Sequence, residues 1–290
     1  TYMRIGIVGA ENTHSHAFAT ILNNLKSCGR ARATMLWGEQ KKHAERVAGE
    51  TQIARIVRHP KEMLGQVDAV MIAHRDAKHH SPTALPFIEA GIPLFIDKPF
   101  TRTVKEGKKL LRLAGEKGVP ITSFSILPEQ ESFKKDLLRQ IKKAGCISHV
   151  QSAGPCNMKS KWSGVFFYGV HQVEAVLKAF DIDITRVHVT ASKHDAVAIC
   201  RTREGALVTF SFLHSAPAGF RITAFGERGT VEWQNQFDAN PYLTAARKVV
   251  RMFRSGKAPY TAEEILRPIA LLEAIDEAYR AGKTVKVKRP

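Results

Sequence analysis

The chain has 290 residues, of which 44% are hydrophobic and 24% charged, and its formal net charge is +17. This is the composition of a folded protein long enough for two domains, and no apolar run approaches the roughly 20 residues that cross a bilayer. The basic residues occur as scattered pairs such as Lys41-Lys42 and Lys108-Lys109, without an aromatic-interleaved stripe. We therefore expect a solvated basic surface, no nucleic-acid partner and no membrane partner.

In the first part of the chain, short apolar strands alternate with helices. Strands are predicted at residues 3–8, 33–37, 53–57, 69–73, 93–96 and 121–124. Helices are predicted at residues 15–27, 41–50, 61–64, 82–90 and 103–117, the last opened by the capping box Thr103 to Glu106 and ended by Gly118. This alternation predicts a doubly wound parallel sheet of the α/β class.

The pattern changes after about residue 125. A helix at 129–144 precedes strand-like segments at 148–153, 187–192, 196–202, 206–214, 220–225 and 230–235. A further helix is predicted at 169–180, and the capping box Thr261 to Glu264 opens a last helix that ends at Ala281. Consecutive strands without intervening helices predict an antiparallel sheet in an α+β domain. The division is therefore 1–124 and 125–290.

The turn after the first strand reads Gly9-Ala10-Glu11-Asn12-Thr13-His14. A dinucleotide-binding turn needs glycine for a tight turn, for close approach to the pyrophosphate and for helix–strand packing. Gly9 fills the first role, whereas Glu11 and His14 stand at the other two glycine positions. The turn therefore predicts cofactor contacts for the six residues, and a purely structural turn without a nucleotide stays an alternative.

The residue after the second strand bears on the choice of cofactor. An acid there binds the ribose hydroxyl of NAD, whereas basic residues favour the 2′-phosphate of NADP. The sequence offers Glu39 for NAD and Lys41-Lys42 for NADP, and Gly38 stands where an acid is often found. We expect NAD or NADP, with a slight preference for NADP, while all three side chains also suit the solvated start of a helix.

Several histidines, namely His14, His16, His74, His79 and His80, lie near the carboxyl ends of predicted strands. Doubly wound folds bind ligands at that edge. No histidine pair comes with a clear carboxylate partner beyond Glu11, so we expect no metal site. Contacts to phosphate, to the nicotinamide ribose or to an acidic substrate are the expected use, with His80 among the cofactor-binding residues.

Four segments together form a specific pattern. They are Asp97-Lys98-Pro99, His80-Ser-Pro followed by Phe87-Ile-Glu-Ala-Gly91, the stretch from Ser163-Gly164 through His171 to Glu174, and the ending from Pro259-Tyr-Thr to Ala278-Tyr-Arg-Ala-Gly282. Taken together, and over essentially the whole chain, they resemble the glucose–fructose oxidoreductase / inositol dehydrogenase / MocA (Gfo/Idh/MocA) oxidoreductase family. Taken singly, only Asp97-Lys98-Pro99 is specific.

The resemblance implies a Rossmann domain at 1–124 and a substrate-binding and oligomerisation domain with an open-faced antiparallel sheet at 125–290. It implies a nicotinamide cofactor contacted by Asp97 and Lys98, and a sugar, polyol or sugar acid as substrate. Lys98 would lie beside the nicotinamide and the reacting hydroxyl, and His171 would act as acid or base. A lysine partly desolvated beside a cationic ring is biased toward the amine that accepts a proton.

Three positions depart from the family pattern. Phe167 stands in place of an aspartate four residues before His171, Glu174 in place of a second aspartate, and Asp97 in place of glutamate. Tyr168 is a candidate replacement proton donor. The departures at Glu11 and Phe167 favour an alternative, a non-catalytic relative that binds a nucleotide or small ligand as a sensor or subunit. We also expect a cytoplasmic location and a homo-oligomer, either dimer or tetramer.

Overall fold

A computed structural model describes residues 2–290, which form two compact units. The first unit consists of two segments, the one that ends at Phe124 and the later segment Tyr242–Ile265. The second unit contains Ser125–Pro241 and Leu266–Pro290. The break after Phe124 falls where the sequence placed it, but Tyr242–Ile265 packs with the first unit rather than with the second. As a division of function, 1–124 and 125–290 stays a prediction.

The first unit is built on a six-stranded sheet in the order β3-β2-β1-β4-β5-β6, and all its pairs are parallel. Its strands are β1 (Met3–Val8), β2 (Ala31–Trp37), β3 (Arg55–Ile56), β4 (Ala69–Ile72), β5 (Leu94–Ile96) and β6 (Ile121–Thr122). Its helices are α1 (Thr13–Ala19), α2 (Lys41–Thr51), α3 (His80–Glu89), α4 (Val104–Lys117) and α7 (Leu243–Ser255). The predicted doubly wound parallel sheet is confirmed.

The strand order reverses at β1, which pairs with both β2 and β4. Val8 lies opposite Trp37 on one side and Ile72 on the other, so the three strands end at one edge. Open α/β sheets bind ligands in the crevice beyond such a reversal. The residues that follow these strands are therefore candidates for a ligand-binding site.

The predicted helix at 15–27 is divided in two. Asn12 caps α1 by accepting a hydrogen bond from the His14 N–H, so the helix begins at Thr13, and a π-helical turn, Thr20–Asn24, follows it. The capping box of α4 is confirmed on the Thr103 side, since Thr103 accepts from the Glu106 N–H at 3.1 Å. Gly118 ends α4 in the left-handed conformation that glycine adopts without strain.

The second unit holds a seven-stranded sheet in the order β12-β11-β7-β10-β9-β8-β13. Its strands are β7 (Ile147–Pro155), β8 (Ile184–Ala191), β9 (Ala196–Thr202), β10 (Leu207–Leu213), β11 (Arg221–Gly226), β12 (Gly229–Gln234) and β13 (Val285–Lys286). The predicted antiparallel pairing holds at every pair except β7 with β10, which is parallel, so the sheet is mixed. The chain between β7 and β8 forms a helix, and this crossover lets the later strand β10 pair with β7 in the same direction.

That helix is α6 (Val165–Phe180), which begins four residues before the predicted start and packs on β7 and β10. Strand β9 alternates buried and exposed residues along its whole length. Its outward residues include Val197 and Ile199, which are apolar, so one face of the sheet is open. The second unit also contains α5 (Leu138–Ala144), which follows a π-helical turn within the predicted helix 129–144.

Two helices complete the chain. The sequence analysis did not predict α7, although its buried and basic residues alternate at helical spacing. The last helix, α8 (Ala262–Ala281), has the predicted capping box: Glu264 N–H donates to Thr261, and Thr261 N–H donates to Glu264. Within residues 2–290, no helix has both the length and the apolarity needed to span a membrane.

Candidate functional site

The turn after β1 requires glycine at position 9. Gly9 has φ of 109°, and a Cβ there would lie 2.7–2.8 Å from the backbone of Ala73 and His74. Both the backbone conformation and the lack of space exclude a side chain. The turn is therefore drawn tightly against the end of β4, as a dinucleotide-binding turn must be.

Glu11 and Glu39 are joined through the backbone of this turn. The Glu11 N–H donates to the Glu39 carboxylate at 3.0 Å, and both residues are half-buried. The N–H groups of Gly9 and Ala10 both donate to the Trp37 carbonyl. Glu39 thus lies at the turn, in the place expected for an acid that binds a ribose hydroxyl, whereas Thr13 is exposed at the start of α1.

A buried polar network connects this turn to the end of β5. Asn12 Nδ2 donates to Asp97 at 3.0 Å, and His14 Nδ1 lies 2.9 Å from both Asp97 oxygens. Because an ionised carboxylate only accepts hydrogen bonds, Nδ1 of His14 carries the hydrogen. The sequence predicted cofactor contacts for Asn12 and His14; in the structure their side chains hold Asp97, a link that local spacing does not reveal.

Asp97 is ionised at neutral pH. Burial alone would raise the pKa of its carboxyl, but the charge and hydrogen bond of His14, together with the charge of Lys98, outweigh burial and hold the pKa below its ordinary value. Asp97 is 1% exposed and the adjacent Lys98 is 5% exposed. A lysine is rarely buried to this extent without a charged neighbour, and Asp97 is such a neighbour.

His80 links the backbone just after Lys98 to the loop that follows β4. Its Nδ1 lies 2.9 Å from the Pro99 carbonyl oxygen, and its Nε2 lies 2.9 Å from that of His74. The Lys98-Pro99 peptide bond is cis. His80 is fully buried, and burial lowers its pKa. Its side chain thus positions the Lys98 segment, and the cofactor contact predicted for His80 stays a prediction.

His74 follows β4 and is also buried. Burial lowers its pKa to about 3, so the ring is neutral at physiological pH. Its Nδ1 is buried and lacks a hydrogen-bond partner among the described residues, and its ring lies 5.4 Å from that of Trp37. Residues 2–290 contain no group of three or more His, Cys, Asp or Glu side chains arranged to hold a metal ion.

Two residues near this edge have contacts that the sequence did not predict. The Tyr242 ring packs edge-on against His14 at 5.2 Å, although the two residues are far apart in sequence. Lys41, predicted to contact the cofactor, is exposed, and its amine pairs with Glu45 at 3.5 Å. A contact such as that of Tyr242 leaves no local signal, because it depends on the return of the chain to the first unit.

A second buried polar network lies in the second unit, around His171 on α6. Ser125 Oγ lies 2.6 Å from His171 Nδ1, and the Ser125 N–H donates to Glu174 at 2.7 Å. Lys178 lies 3.7 Å from Glu174 and 3.0 Å from Glu129. Ser125 Oγ also accepts from the Leu127 N–H, so one hydroxyl connects the His171 ring to the loop that begins at Ser125.

Glu174 therefore holds the loop that begins at Ser125 and so fixes the serine that orients His171. The sequence did not identify Ser125, although it stands at the predicted boundary between the domains. Side chains at positions 171, 174 and 178 share one helix face, which is the pattern that predicts such a cluster.

Two aromatic side chains lie between His171 and a cavity of about 450 Å³ in the second unit. The Tyr168 ring lies 5.5 Å from His171 and 5.1 Å from Phe167, and both aromatic residues line the cavity. Leu213 and Pro217 contribute apolar surface, and the polar side chains in its wall belong to Asn157, Ser160 and His214. Phe167 thus presents a ring to this cavity where the family pattern has a carboxylate.

Comparison with known proteins finds a family match within the first unit. Residues 3–124 match the model of the oxidoreductase family with an NAD-binding Rossmann fold, Gfo/Idh/MocA. No curated protein matches the chain in sequence.

Solved structures of similar fold cover both units. One is GenD2 from gentamicin A biosynthesis in complex with NAD, with TM-score 0.84 and 17% identity over 99% of this chain and 97% of that one. Another is scyllo-inositol dehydrogenase from Lactobacillus casei with NAD(H) and scyllo-inositol, with TM-score 0.85 and 14% identity over 99% of each chain. A third is myo-inositol dehydrogenase from Lactobacillus casei with NAD(H) and myo-inositol, with TM-score 0.83 and 14% identity over 99% of this chain and 97% of that one. At such identities the likeness shows a shared fold.

Proposed function

We propose that the chain is an NAD(P)-dependent dehydrogenase or reductase, because residues 3–124 match the model of the Gfo/Idh/MocA oxidoreductase family with its NAD-binding Rossmann fold. Its substrate is a sugar-like molecule, a polyol or a sugar acid. The observation that carries this proposal is the buried Asp97-Lys98 pair at the carboxyl edge of the parallel sheet, held in place by Asn12, His14 and His80. A fold does not require a lysine there, and the cost of burying it points to chemistry.

In this proposal the nicotinamide exchanges a hydride with the carbon that bears the reacting hydroxyl or carbonyl. Lys98 transfers the hydroxyl proton, because a positioned amine can accept it as the hydride leaves and return it in the reverse direction. Asp97 keeps Lys98 oriented, since its carboxylate is ionised and fixed by two donors. His171 is the second acid or base, with Ser125 orienting its ring.

The cofactor that fits the first unit best is NAD. Glu39 presents a carboxylate at the glycine turn, where it suits a ribose hydroxyl and repels a 2′-phosphate. Lys41, which suggested NADP, is exposed and paired with Glu45. These contacts replace the slight preference for NADP that the sequence alone indicated. When the cofactor binds, we expect Glu39 to exchange the Glu11 N–H for the ribose.

The cavity beside Tyr168 is the proposed substrate pocket. Asn157, Ser160 and His214 supply polar groups for hydroxyls, and the apolar wall formed by Phe167 and Leu213 suits the C–H faces of a ring. The open face of the second sheet, with exposed Val197, Ile199, Leu207 and Phe225, is the surface we propose for a homo-oligomer, dimer or tetramer. The cytoplasmic location stays a prediction.

A second candidate function is a non-catalytic relative that binds a nucleotide or small ligand as a sensor or subunit. Phe167 favours it, because the ring removes the carboxylate expected beside His171.

The test combines cofactor binding with turnover. Trp37 fluorescence is titrated with NADH and NADPH, and hydride transfer is then assayed with a panel of inositols, sugars and sugar acids. If the protein is an enzyme, NADH should bind more tightly than NADPH, and at least one member of the panel should be turned over. Binding of NADH without turnover of any member supports the sensor, and failure to bind either cofactor contradicts the enzyme. Gly9→Val is the control variant, since its side chain would meet the backbone of Ala73 and should abolish cofactor binding.

A further inference from the structure

Three arginines line a cleft of about 540 Å³ in the first unit that the proposed reaction does not use. Arg247, Arg251 and Arg254 project from α7 and face the loop Ser27-Cys28-Gly29 that precedes β2. Their spacing of four and three residues places them on one face of the helix. The opposite face, which includes Val249 and Phe253, is buried in the unit, so the arginine face has a fixed orientation.

Two of the arginines are anchored to the loop. Arg254 donates to the Cys28 carbonyl at 2.8 Å, and Arg247 donates to the Ser27 carbonyl at 3.3 Å. Neutral carbonyl oxygens orient a guanidinium without cancelling its charge. Burial raises the pKa of the Cys28 thiol, and the charges of Arg247 and Arg254 oppose that rise, so their field is felt inside the cleft.

No carboxylate belongs to the wall of the cleft, and none of the three arginines has an ion-pair partner among residues 2–290. Other helices of this protein pair their exposed cations at the same spacing, as Arg112 does with Glu116 and Lys41 with Glu45. Like charges four residues apart destabilise a helix. Arg247 and Arg251 form such a pair without a carboxylate partner, so a bound anion would relieve their repulsion.

The cleft lies at the opposite edge of the sheet from the glycine turn. It adjoins the start of β2 at Ala31, whereas Gly9 lies beside the end of β2 at Trp37. A strand of this length separates the two edges by about 20 Å. A ligand in the cleft therefore does not occupy the cofactor site.

We propose that this cleft binds a small polyvalent oxyanion, of the class that carries two or more linked phosphoryl groups. Arg247 and Arg254 are about 10 Å apart along the helix axis, which is too far for one phosphate to engage all three guanidiniums closely. The planar guanidinium forks suit phosphoryl oxygens. The cleft's volume is within the range of small-molecule sites. Nothing in the proposal depends on hydride transfer.

The experiment is calorimetric titration of the full chain with inorganic pyrophosphate and, separately, with inorganic phosphate, at constant ionic strength. We expect saturable binding of pyrophosphate, weaker binding of phosphate, and a loss of about tenfold in pyrophosphate affinity for Arg251→Gln. Arg247→Gln with Arg251→Gln should lose more. The matched control is Lys108→Gln with Arg112→Gln, which removes two cations at the same spacing from the exposed face of α4 and should retain affinity within about twofold.

Saturating NADH should leave pyrophosphate binding unchanged. The proposal is overturned if the wild-type chain does not bind pyrophosphate saturably, if the α4 control loses as much affinity as the α7 variant, or if NADH displaces pyrophosphate. Equal affinity for phosphate and pyrophosphate also contradicts it. Arg251 donates no hydrogen bond that the fold depends on, so Arg251→Gln decides the outcome if the double variant unfolds.

Discussion

The polar network at Asp97 and Lys98 and the one at His171 are buried to a similar degree, but they are assembled in different ways. The first collects side chains from loops that follow separate parallel strands, with Asn12 and His14 after β1 and Asp97 after β5. The second takes His171, Glu174 and Lys178 from a single helix and adds Ser125. A site built across strands depends on the whole sheet, whereas a site built on a helix face depends mainly on local spacing.

The largest effect on turnover should come from Lys98, in the network that collects side chains from separate strands. Lys98→Ala should lower kcat by about a hundred- to ten-thousand-fold, because it removes the group that transfers the hydroxyl proton. NADH affinity, measured by Trp37 fluorescence, should change little. Lys109→Ala, an exposed lysine on α4, is the control. Retention of wild-type turnover by Lys98→Ala would remove Lys98 from the mechanism.

The next effect concerns stability. Asp97→Ala leaves Asn12 and His14 buried without their acceptor, and should lower the free energy of unfolding by about 3 kcal/mol. Asp68→Ala breaks an exposed pair with Arg4 and should cost at most about 1 kcal/mol. Urea unfolding of both variants measures the difference. Equal losses would show that the buried network does not hold the first unit together.

One network rests on local sequence spacing and the other on contacts between distant segments, and this difference explains how much of the protein the sequence could predict. Periodicity was sufficient for the parallel sheet, and for the helix that carries His171, because those patterns repeat locally. It assigned Asn12 and His14 to the cofactor because the turn resembles a phosphate site, whereas their partner Asp97 lies more than 80 residues away. The contact of Tyr242 with His14 and the parallel pairing of β7 with β10 were missed for the same reason, since each depends on a distant return of the chain.

A pH-dependent effect is expected at His74, whose carbonyl oxygen lies 2.9 Å from His80 Nε2. The folded state holds His74 neutral with a pKa of about 3, whereas an unfolded histidine titrates near 6.5. The unfolded chain therefore binds this proton first, and folding stability falls as pH drops from about 6.5 toward 3. At pH 5 the contribution is about 2 kcal/mol.

His74→Phe should reduce the acid sensitivity by that amount, and His194→Phe, at an exposed histidine, should leave it unchanged. Thermal or urea unfolding between pH 5 and pH 7 gives the slopes. An unaltered slope in His74→Phe would mean that the buried ring does not titrate as its surroundings indicate.

The smallest effect is expected at Tyr168. Its ring is 41% exposed and packs against Phe167 and His171. If the ring acts by packing, Tyr168→Phe should change kcat less than about threefold, whereas loss of a proton donor would cost roughly a hundredfold or more. Phe167→Asp is the companion variant, since it restores the carboxylate of the family pattern. A large loss in Tyr168→Phe would make the phenol the replacement donor.

The central claim is that Lys98 and His171 serve one reaction, and a double-variant cycle tests it most directly. Turnover is measured for the wild type, Lys98→Ala, His171→Ala and the double variant, on the polyol or sugar that the substrate panel identifies. Groups that act in the same proton transfer are not additive, so the double variant should lose about as much activity as the worse single variant. Losses that multiply, or full activity in either single variant, would contradict the account.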